Sequence, residues 1–321
     1  MSIDLSLPLV IVNPKSAGGS TEARWAETVS DFRTHFGAFN VEFTRKAGDG
    51  IKLAQAAAQA GRKFIIACGG DGTINEVANG ILESSAPVEL GILPSGTGGD
   101  LRRTLKIPNG AREASKTLSD GETKTIDVGR VTFFNHAGEP VSRYFLNVAS
   151  FGLSAAIVGR VKTSSSLGWL PNDLLRGKAS FAISTLQEVL DLNFVTVRVK
   201  IDDQAEKSLN TINFCVCNAR FFGGGMKIAP DAIINDGKLD LVNIGDIRTA
   251  KILLNAYKLY TGTHLELPEV KSARAARVEI SPSDSRQIIH LEIDGELPGR
   301  LPATFEIVPN ALSVRVPKMK I

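Results

Sequence analysis

The stretch FIIACGGDGTINEVANGIL, residues 64–82, decides the fold of this chain. It opens with an apolar run, residues 64–68, that is typical of a buried strand, and continues with glycines that tolerate positive φ. Apolar residues then recur at helical spacing from Ile74 onward, which predicts an amphipathic helix. Thr73 and Glu76 have the spacing of a capping box and predict the start of that helix. The stretch therefore predicts a glycine loop that offers backbone N–H groups to an anion at a helix N-terminus.

Asp71 stands among these glycines, and the loop has two interpretations. In one, the glycines only turn the chain, while Thr73 and Glu76 only cap the helix. In the other, the loop binds a nucleotide phosphate, where a carboxylate works with a cation or a ribose hydroxyl. Asp71 favours the second interpretation. The sequence contains neither the G-x-G-x-x-G dinucleotide pattern nor the Gly-Lys-Ser/Thr of a P-loop.

The composition describes a folded protein with a mild basic bias. The chain has 321 residues, of which 43% are hydrophobic, and a net charge of +3. Two domains are therefore feasible, and no nucleic-acid partner is expected. Apolar runs fall short of the roughly 18 residues of a membrane span, and the first residues lack the basic region of a signal peptide, so a cytoplasmic protein is predicted. The three cysteines, Cys68, Cys215 and Cys217, are expected to be buried and reduced.

Strands and helices alternate four times in the first part of the chain. The predicted strands are residues 7–12, 41–43, 64–68 and 89–93. Glycine-containing turns follow three of them, at residues 13–19, 69–72 and 94–99. This alternation predicts an α/β domain with a parallel sheet and helices on both faces. Ligands of such sheets bind at the carboxyl ends of the strands, where all three turns lie.

Beyond Gly129 the pattern changes to strand-like alternation, which predicts a mostly antiparallel, β-rich second domain. Its predicted strands are residues 130–134, 143–148, 194–201, 211–216, 239–244, 278–280, 288–293, 305–308 and 312–316. Two helical pieces are predicted within this domain, at residues 173–190 and 249–259. The change of pattern near Gly129 marks the predicted domain boundary.

The sequence GGDGTINE at residues 69–76 resembles the nucleotide signature of the diacylglycerol kinase catalytic-domain family. These soluble lipid kinases include the bacterial diacylglycerol and lipid kinases and the sphingosine and ceramide kinases. The GGDG core alone is shared with NAD kinases and phosphofructokinases. Further segments are similar to family motifs and follow in family order, at residues 13–19, 94–103, 223–240 and 294–296. Ala17 and Gly99 replace a Gly and an Asn that are usual in the family.

The resemblance implies a fold, domain bounds and cofactors. Residues 1–129 would form a nucleotide-binding α/β domain of the phosphofructokinase and NAD kinase type, and residues 130–304 a β-rich lipid-substrate domain. Residues 305–321 are expected to return to the first domain. The nucleotide site is expected in the cleft between the domains, with ATP and Mg²⁺ as cofactors.

The resemblance also implies site residues. The nucleotide would contact Asn13, Pro14, Lys15, Ser16, Thr44, Gly69, Gly70, Asp71, Gly72, Thr73, Ile74, Asn75, Glu76 and Thr97. The catalytic pair would be Asp294 and Glu296, of which one accepts the proton of the lipid hydroxyl and the other holds a cation or orients the first. Alternation within residues 288–294 puts Leu291 and Ile293 on one face of a strand and His290, Glu292 and Asp294 on the other, and a solvated strand face is the alternative to a site there. A structural Mg²⁺ would lie on Asp236 and the carbonyl oxygens of Ile233 and Lys238, with a plain hairpin turn as the alternative.

Three functions remain open at this point. The first is an ATP-dependent lipid kinase that converts diacylglycerol to phosphatidic acid, with a sphingosine- or ceramide-type kinase as its variant. The second is an NAD-kinase-like enzyme with a soluble substrate. The third is a non-catalytic lipid-binding protein, against which Asp71, Asp294 and Glu296 argue. Asp71→Ala is expected to abolish turnover and to keep the melting temperature within a few degrees of the parent.

The expected partner is a lipid at a membrane surface, to which the protein docks peripherally and transiently; a homodimer is left open. Basic groups near anionic lipid contribute roughly 1 kcal/mol each. The candidate groups for this docking are Arg102, Arg103, Lys106, Arg160, Lys162, Arg176 and Lys178.

Overall fold

The computed structural model describes residues 4–163, 185–191 and 193–318. Its backbone contacts divide the chain into two compact units, Met1–Asp127 with Pro309–Ile321 and Val128–Val308. Most of the helix predicted at residues 173–190 lies outside the described residues. The docking candidates Arg176 and Lys178 lie there too.

The first unit is built on a parallel sheet. Its strands are β1 (Leu9–Val12), β2 (Asn40–Phe43), β3 (Phe64–Gly69) and β4 (Glu89–Pro94). They hydrogen-bond in the order β4–β3–β1–β2, and each of these pairs is parallel. Ser313 and Val314, near the end of the chain, pair in parallel with β4. β1 and β3 are buried almost throughout, as expected for apolar strands that are covered on both faces.

Helices connect these strands and position the glycine loops. They are α1 (Ser20–Ala23), α2 (Trp25–His35), α3 (Asp49–Gln59), α4 (Asp71–Ser84), α5 (Asp100–Thr104) and α6 (Ala111–Asp120). Helix α3 buries Ala54, Ala57 and Ala58 and packs closely against α4. Gly80 permits this approach, because a Cβ there would overlap the carbonyl oxygen of Ile51. The packing fixes α4, and with it the loop that precedes it.

The second unit is built on antiparallel strands. They are β5 (Glu122–Asn135), β6 (Pro140–Phe145), β7 (Val148–Gly152), β8 (Val195–Ile201), β9 (Lys207–Thr211), β10 (Asn213–Cys217), β11 (Leu239–Ile244), β12 (Val270–Ala275), β13 (Arg277–Pro282), β14 (His290–Ile293) and β15 (Glu296–Val316). The row β12–β11–β10–β7–β14–β15 is antiparallel throughout. The chain enters this unit within β5 and leaves it within β15.

Helices of the second unit are α7 (Leu153–Thr163), α8 (Thr249–Asn255) and α9 (Lys258–Thr261), and residues 185–190 are helical. Within the residues that the structure describes, no helix is long and apolar enough to cross a membrane.

The core of the second unit consists of inward-facing strand residues. Phe145, Phe151, Leu291 and Phe305 are fully buried in it. Phe151 stacks on Phe214 with ring centroids 5.5 Å apart. Alternate residues of neighbouring strands thus supply the core, and the predicted β-rich antiparallel architecture is confirmed.

Several strands differ from their predicted bounds. The strand predicted at residues 143–148 is broken at Leu146 and Asn147, between β6 and β7, because a carboxylate described below binds the N–H groups there. The strands predicted at residues 305–308 and 312–316 are both part of β15. Strand β12 was missed because its sequence, VKSARA, is largely exposed and carries little apolar signal.

The cysteines confirm their prediction. Cys68, Cys215 and Cys217 are all buried and free. Burial raises the pKa of the Cys68 thiol to about 12, so this thiol stays protonated at neutral pH.

Candidate active site

The loops that follow β1, β3 and β4 are joined to one another by side chains of the first unit. Asn13, in the first loop, donates its amide to the Thr73 hydroxyl at 3.1 Å. The hydroxyls of Thr21 and Ser95 lie 2.6 Å apart and connect α1 to the third loop. Residues that are far apart in sequence thereby form one polar edge of the sheet.

The first turn of α4 leaves backbone N–H groups available at this edge. Gly70 is the N-cap residue and provides no side-chain cap. The N–H of Gly70 donates to the Ser16 hydroxyl over a long 3.4 Å, and this hydroxyl lies 3.5 Å from that of Thr73. Because the first N–H groups of a helix lack intrahelical partners, this turn is suited to an anion.

Asp71 begins α4, yet its carboxylate is directed at another helix. It accepts the N–H groups of Gly99 at 2.6 Å, Asp100 at 2.9 Å and Leu101 at 3.2 Å. These are the cap and first residues of α5, so Asp71 stabilises the N-terminus of that helix. A Cβ on Gly98 would lie only 2.6 Å from the same carboxylate. Asp71 thus connects the two glycine loops.

The predicted capping box is wrong. Helix α4 starts at Asp71, so Glu76 lies in its second turn, beyond reach of the N-cap N–H. Glu76 instead accepts the N–H groups of Gly48 at 2.8 Å and Gly50 at 2.9 Å. These residues begin α3, and Glu76 therefore satisfies the start of a different helix from its own.

The two positions that depart from the family pattern both have left-handed backbone. Gly99 has φ 70° and Ala17 has φ 53°. Asn and Gly adopt this conformation more readily than other residues, so both the Gly99 present here and the Asn usual in the family suit a left-handed position. The Cβ of Ala17 makes this conformation sterically unfavourable, whereas glycine would adopt it without strain.

The remaining residues predicted to contact the nucleotide divide by burial. Exposed or half-buried are Asn13, Pro14, Lys15, Ser16, Gly70, Gly72 and Thr97. Buried are Thr44, Gly69, Thr73, Ile74 and Asn75. The N–H of Ile74 donates to the carbonyl of Gly70 at 3.0 Å, so the buried group supports the loops. Contact of either group with a nucleotide stays a prediction.

In the second unit, the Asp-Gly-Glu turn follows β14 and holds the neighbouring chain segment. Asp294 and Gly295 are both left-handed, with φ 45° and 88°. The Asp294 carboxylate accepts the N–H groups of Leu146 at 2.8 Å and of Asn147 and Val148 at 3.0 Å each. This contact explains the break between β6 and β7. Asp294 therefore has a structural role, whether or not it also takes part in the reaction.

Glu296 is the carboxylate of the turn that pairs with a side chain rather than with backbone. Its Oε2 pairs with Nη1 of Arg143 at 2.7 Å, and its side chain is 35% exposed. None of the described residues donates a hydrogen bond to its Oε1. His290, four residues before Asp294, is exposed. Glu296 is thus the member of the predicted pair with an acceptor oxygen to offer.

The Asp236 carboxylate already pairs with a cationic side chain. Asp236 accepts the N–H of Lys238 at 3.1 Å through one oxygen and pairs with Arg274 at 3.2 Å through the other. Arg274 also pairs with Asp240 at 3.2 Å, whose pKa is raised by burial although the guanidinium opposes the shift. The described residues contain no cluster of three or more His, Cys, Asp or Glu suited to a metal. Mg²⁺ on Asp236, Ile233 and Lys238 stays a prediction that these contacts do not favour.

Comparison with known proteins assigns both units. The family model described as the diacylglycerol kinase catalytic domain matches residues 8–131. The YegS C-terminal NAD kinase beta sandwich-like domain matches residues 147–316, more than half of the chain. The chain belongs to the diacylglycerol kinase family. It is a lipid kinase, and its family uses ATP as the phosphoryl donor.

Relatives of the kinase align over most of its length. It is 28% identical over 316 residues to a diacylglycerol kinase of Bacillus subtilis (strain 168), covering 97% of this chain and 96% of the relative. It is 30% identical over 275 residues to one of Staphylococcus epidermidis, covering 86% and 81%. A crystal structure of a diacylglycerol kinase from Bacillus anthracis (strain Sterne) matches with TM-score 0.70 at 22% identity over 97% of both chains. The predicted fold class is confirmed.

No functional role was predicted for Glu292, which lies behind the Asp-Gly-Glu turn of the kinase. Glu292 is only 6% exposed. The Ser150 hydroxyl donates to one of its oxygens, and the N–H of Gly295 donates to the other at 2.5 Å. The available signal was Ser150 itself, a polar residue in the apolar strand β7, directly opposite Glu292. Glu292 therefore supports the left-handed turn from within the sheet.

Asn147 was also missed. Its side-chain amide oxygen is buried and accepts no hydrogen bond from the described residues. Its backbone is held by Asp294 on one side and accepts the N–H groups of Asn218 and Ala219 on the other. A buried carbonyl-type oxygen without a donor usually has a ligand or water, which makes Asn147 a candidate site residue.

A cavity of about 770 Å³ lies within the second unit. Much of its wall is apolar, formed by residues that include Leu153, Ala155, Ala156, Val195, Ile289 and Leu297. Arg160 in the same wall pairs with Glu188 and Asp191, so its positive charge is offset. The cavity is within the size range of small-molecule sites.

Proposed function

We propose that this kinase phosphorylates the free hydroxyl of diacylglycerol to give phosphatidic acid, with ATP as donor and Mg²⁺ as the accompanying cation. The observation that carries the proposal is the alignment to a relative named diacylglycerol kinase over 97% of this chain and 96% of that relative. Sphingosine- and ceramide-type lipid kinases are the alternatives.

The open first turn of α4 supports binding of the triphosphate. Its N–H groups face no side-chain cap, and the Asp71 carboxylate does not compete for them because it is bound to residues 99–101. Phosphate oxygens are suitable acceptors for such groups. The Ser16 hydroxyl is the protein oxygen that would hold Mg²⁺, which would supply positive charge to offset that of the bound phosphates.

Glu296 is assigned as the acceptor of the hydroxyl proton. As the alcohol oxygen bonds to the γ-phosphorus, the bond from that phosphorus to its bridging oxygen breaks and ADP departs; the hydroxyl proton passes to the base. Glu296 has an unoccupied oxygen for this proton, whereas Asp294 already accepts three N–H groups. Asp294 and the buried Glu292 shape the turn and orient Glu296.

The cavity of the second unit supports an acyl substrate. Its apolar wall offers the acyl chains the burial that drives apolar binding. Ala156 lines the cavity and has a small side chain. The space for the acyl chains therefore depends on a small side chain at this position.

The substrate is tested by transfer of radiolabelled phosphate from ATP to a panel of acceptors. Diacylglycerol, monoacylglycerol, sphingosine and ceramide are presented in mixed micelles, and NAD is presented in solution. Diacylglycerol is expected to be labelled fastest. Faster labelling of sphingosine, ceramide or NAD would contradict the proposed substrate.

The assignment of the carboxylates is tested by isosteric variants. Glu296→Gln is expected to lower kcat by about 10²–10⁴-fold, the usual loss for a general base, with an unchanged melting temperature and nucleotide affinity. Asp294→Asn is expected to lower kcat and also the melting temperature, because an amide N–H₂ would then face N–H donors. His290→Ala is the control and should retain most turnover. A fully active Glu296→Gln variant would move the base to another residue.

A further inference from the structure

Four large apolar side chains along helices α8 and α9 are exposed. Leu253, Leu254, Tyr257 and Tyr260 are 46%, 75%, 61% and 56% exposed. They stand at i, i+1, i+4 and i+7, which places them on one side of a helical segment. We call these four side chains the α8–α9 face.

The segment that carries this face is firmly held on its inner side. Leu259 packs against a buried cluster of the second unit, and its carbonyl accepts the N–H of Lys227 at 2.6 Å. The buried ring of His264, just beyond α9, hydrogen-bonds to the carbonyl of Ile228 at 3.0 Å. The exposure of the α8–α9 face is therefore a property of an anchored helix.

The charged side chains of the helical segment itself are all basic. Residues 247–265 contain no Asp or Glu. Arg248 is exposed at the start of α8, and Lys258 lies between the two tyrosines. Lys251 pairs with Glu269 at 2.5 Å. Leucines beside tyrosines and basic side chains are the composition of a helix that lies in the interface of an anionic bilayer.

We propose that the α8–α9 face is the surface by which this kinase docks on a bilayer that contains anionic lipids. The inference rests on the proposed function, because diacylglycerol resides in such bilayers. A second copy of the chain fits the face less well, since two cationic rims would then meet. The leucines and tyrosines enter the headgroup region while Arg248 and Lys258 face the lipid charges.

Two of the basic groups nominated from the sequence are engaged in ion pairs. Arg103 pairs with Asp100 at 3.0 Å, and Arg160 pairs with Glu188 and Asp191. Each of these ion pairs offsets a charge that was expected to face lipid. We therefore place the docking surface at the α8–α9 face rather than at Arg103 or Arg160.

The test uses the full chain and vesicles of phosphatidylcholine with about 30% phosphatidylglycerol, a content that gives a strongly negative surface. The Leu254→Ser/Tyr257→Ser variant is expected to bind them about 100-fold more weakly, since each large apolar side chain contributes about tenfold. Arg248→Gln/Lys258→Gln is expected to lose the salt-dependent part of binding. Leu5→Ser is the matched control, a 43% exposed leucine of the first unit, and should bind like the parent.

Turnover separates the docking surface from the proposed substrate. With diacylglycerol in vesicles, Leu254→Ser/Tyr257→Ser should lose turnover in parallel with binding; with a water-soluble short-chain diacylglycerol it should match the parent. Vesicle binding equal to that of the parent overturns the docking surface. The docking surface is also overturned if the parent is a dimer and the variant is a monomer that binds vesicles as the parent does. If neither protein phosphorylates the soluble substrate but vesicle binding still falls, the docking surface stands and the proposed substrate fails.

Discussion

Removal of the Asp71 carboxylate tests the connection between the two glycine loops. In Asp71→Ala, the N–H groups of Gly99, Asp100 and Leu101 lose the acceptor to which they donate at 2.6 to 3.2 Å. All three residues are buried, so water can replace the carboxylate only in part. The variant should therefore lose stability as well as turnover.

The expected loss can be worked from these contacts. A hydrogen bond to a charged group contributes about 1.5–3 kcal/mol, and loss of an N-cap acceptor costs about 0.5–2 kcal/mol. The three bonds share one carboxylate and are not additive, so about 3 kcal/mol is expected for the variant. For a unit of this size that corresponds to a fall in melting temperature of roughly 10 °C. The contacts thus revise the expectation from sequence, which placed the shift within a few degrees.

Calorimetry and hydrogen exchange measure this effect directly. The melting transition should fall in Asp71→Ala, and exchange should accelerate at the amides of residues 99–101 before the rest of the unit. Glu83→Ala is the matched control, because Glu83 is an exposed acidic residue of the same helix, and its melting temperature should match the parent. A parent-like melting temperature in Asp71→Ala would refute the role of this carboxylate in holding α5.

Three further variants test other parts of the structure. Ala17→Gly should raise the free energy of unfolding by about 0.5–1 kcal/mol, measured in urea, because the left-handed φ of 53° suits glycine. EDTA should leave the melting temperature of the parent unchanged, since Arg274 already neutralises Asp236; Arg274→Gln should cost about 1 kcal/mol, as expected for exposed ion pairs. Ala156→Phe should raise KM for long-chain diacylglycerol and leave KM for a short-chain analogue unchanged, measured in micelles, because the new ring fills the cavity.

Much of the first unit could be predicted because its signals are local. The strand–glycine–helix order around residues 64–82 depends on hydrophobic spacing and on glycine, both of which act over a few residues. The partners of Asp71 and Glu76 could not be predicted in this way. Their acceptor oxygens bind N–H groups 26 to 30 residues away, and a local capping rule assigns such oxygens to their own helix.

The second unit was predicted in outline and missed in its polar details. Alternation identified Leu291 and Ile293 as core residues, and both are fully buried. The same alternation placed Glu292 on a polar face, whereas the fold buries it against Ser150. A buried carboxylate is stable only where hydrogen-bond donors contact it. The sequence of one strand does not show which donors the neighbouring strands supply, so this burial could not be predicted. The exposure of the α8–α9 face could not be predicted either, because it depends on which residues the fold packs against these helices.

Most carboxylates in the motifs of this kinase accept hydrogen bonds from backbone N–H groups rather than face solvent. Asp71, Glu76 and Asp294 each accept two or three N–H groups of another segment. Glu296 differs, because it pairs with a side chain and keeps one oxygen unoccupied among the described residues. Loss of activity alone therefore cannot identify the base, since substitution of Asp71, Glu76 or Asp294 would also disturb a loop. The decisive measurement is the combination of lost turnover with an unchanged melting temperature, and the contacts assign that combination to Glu296.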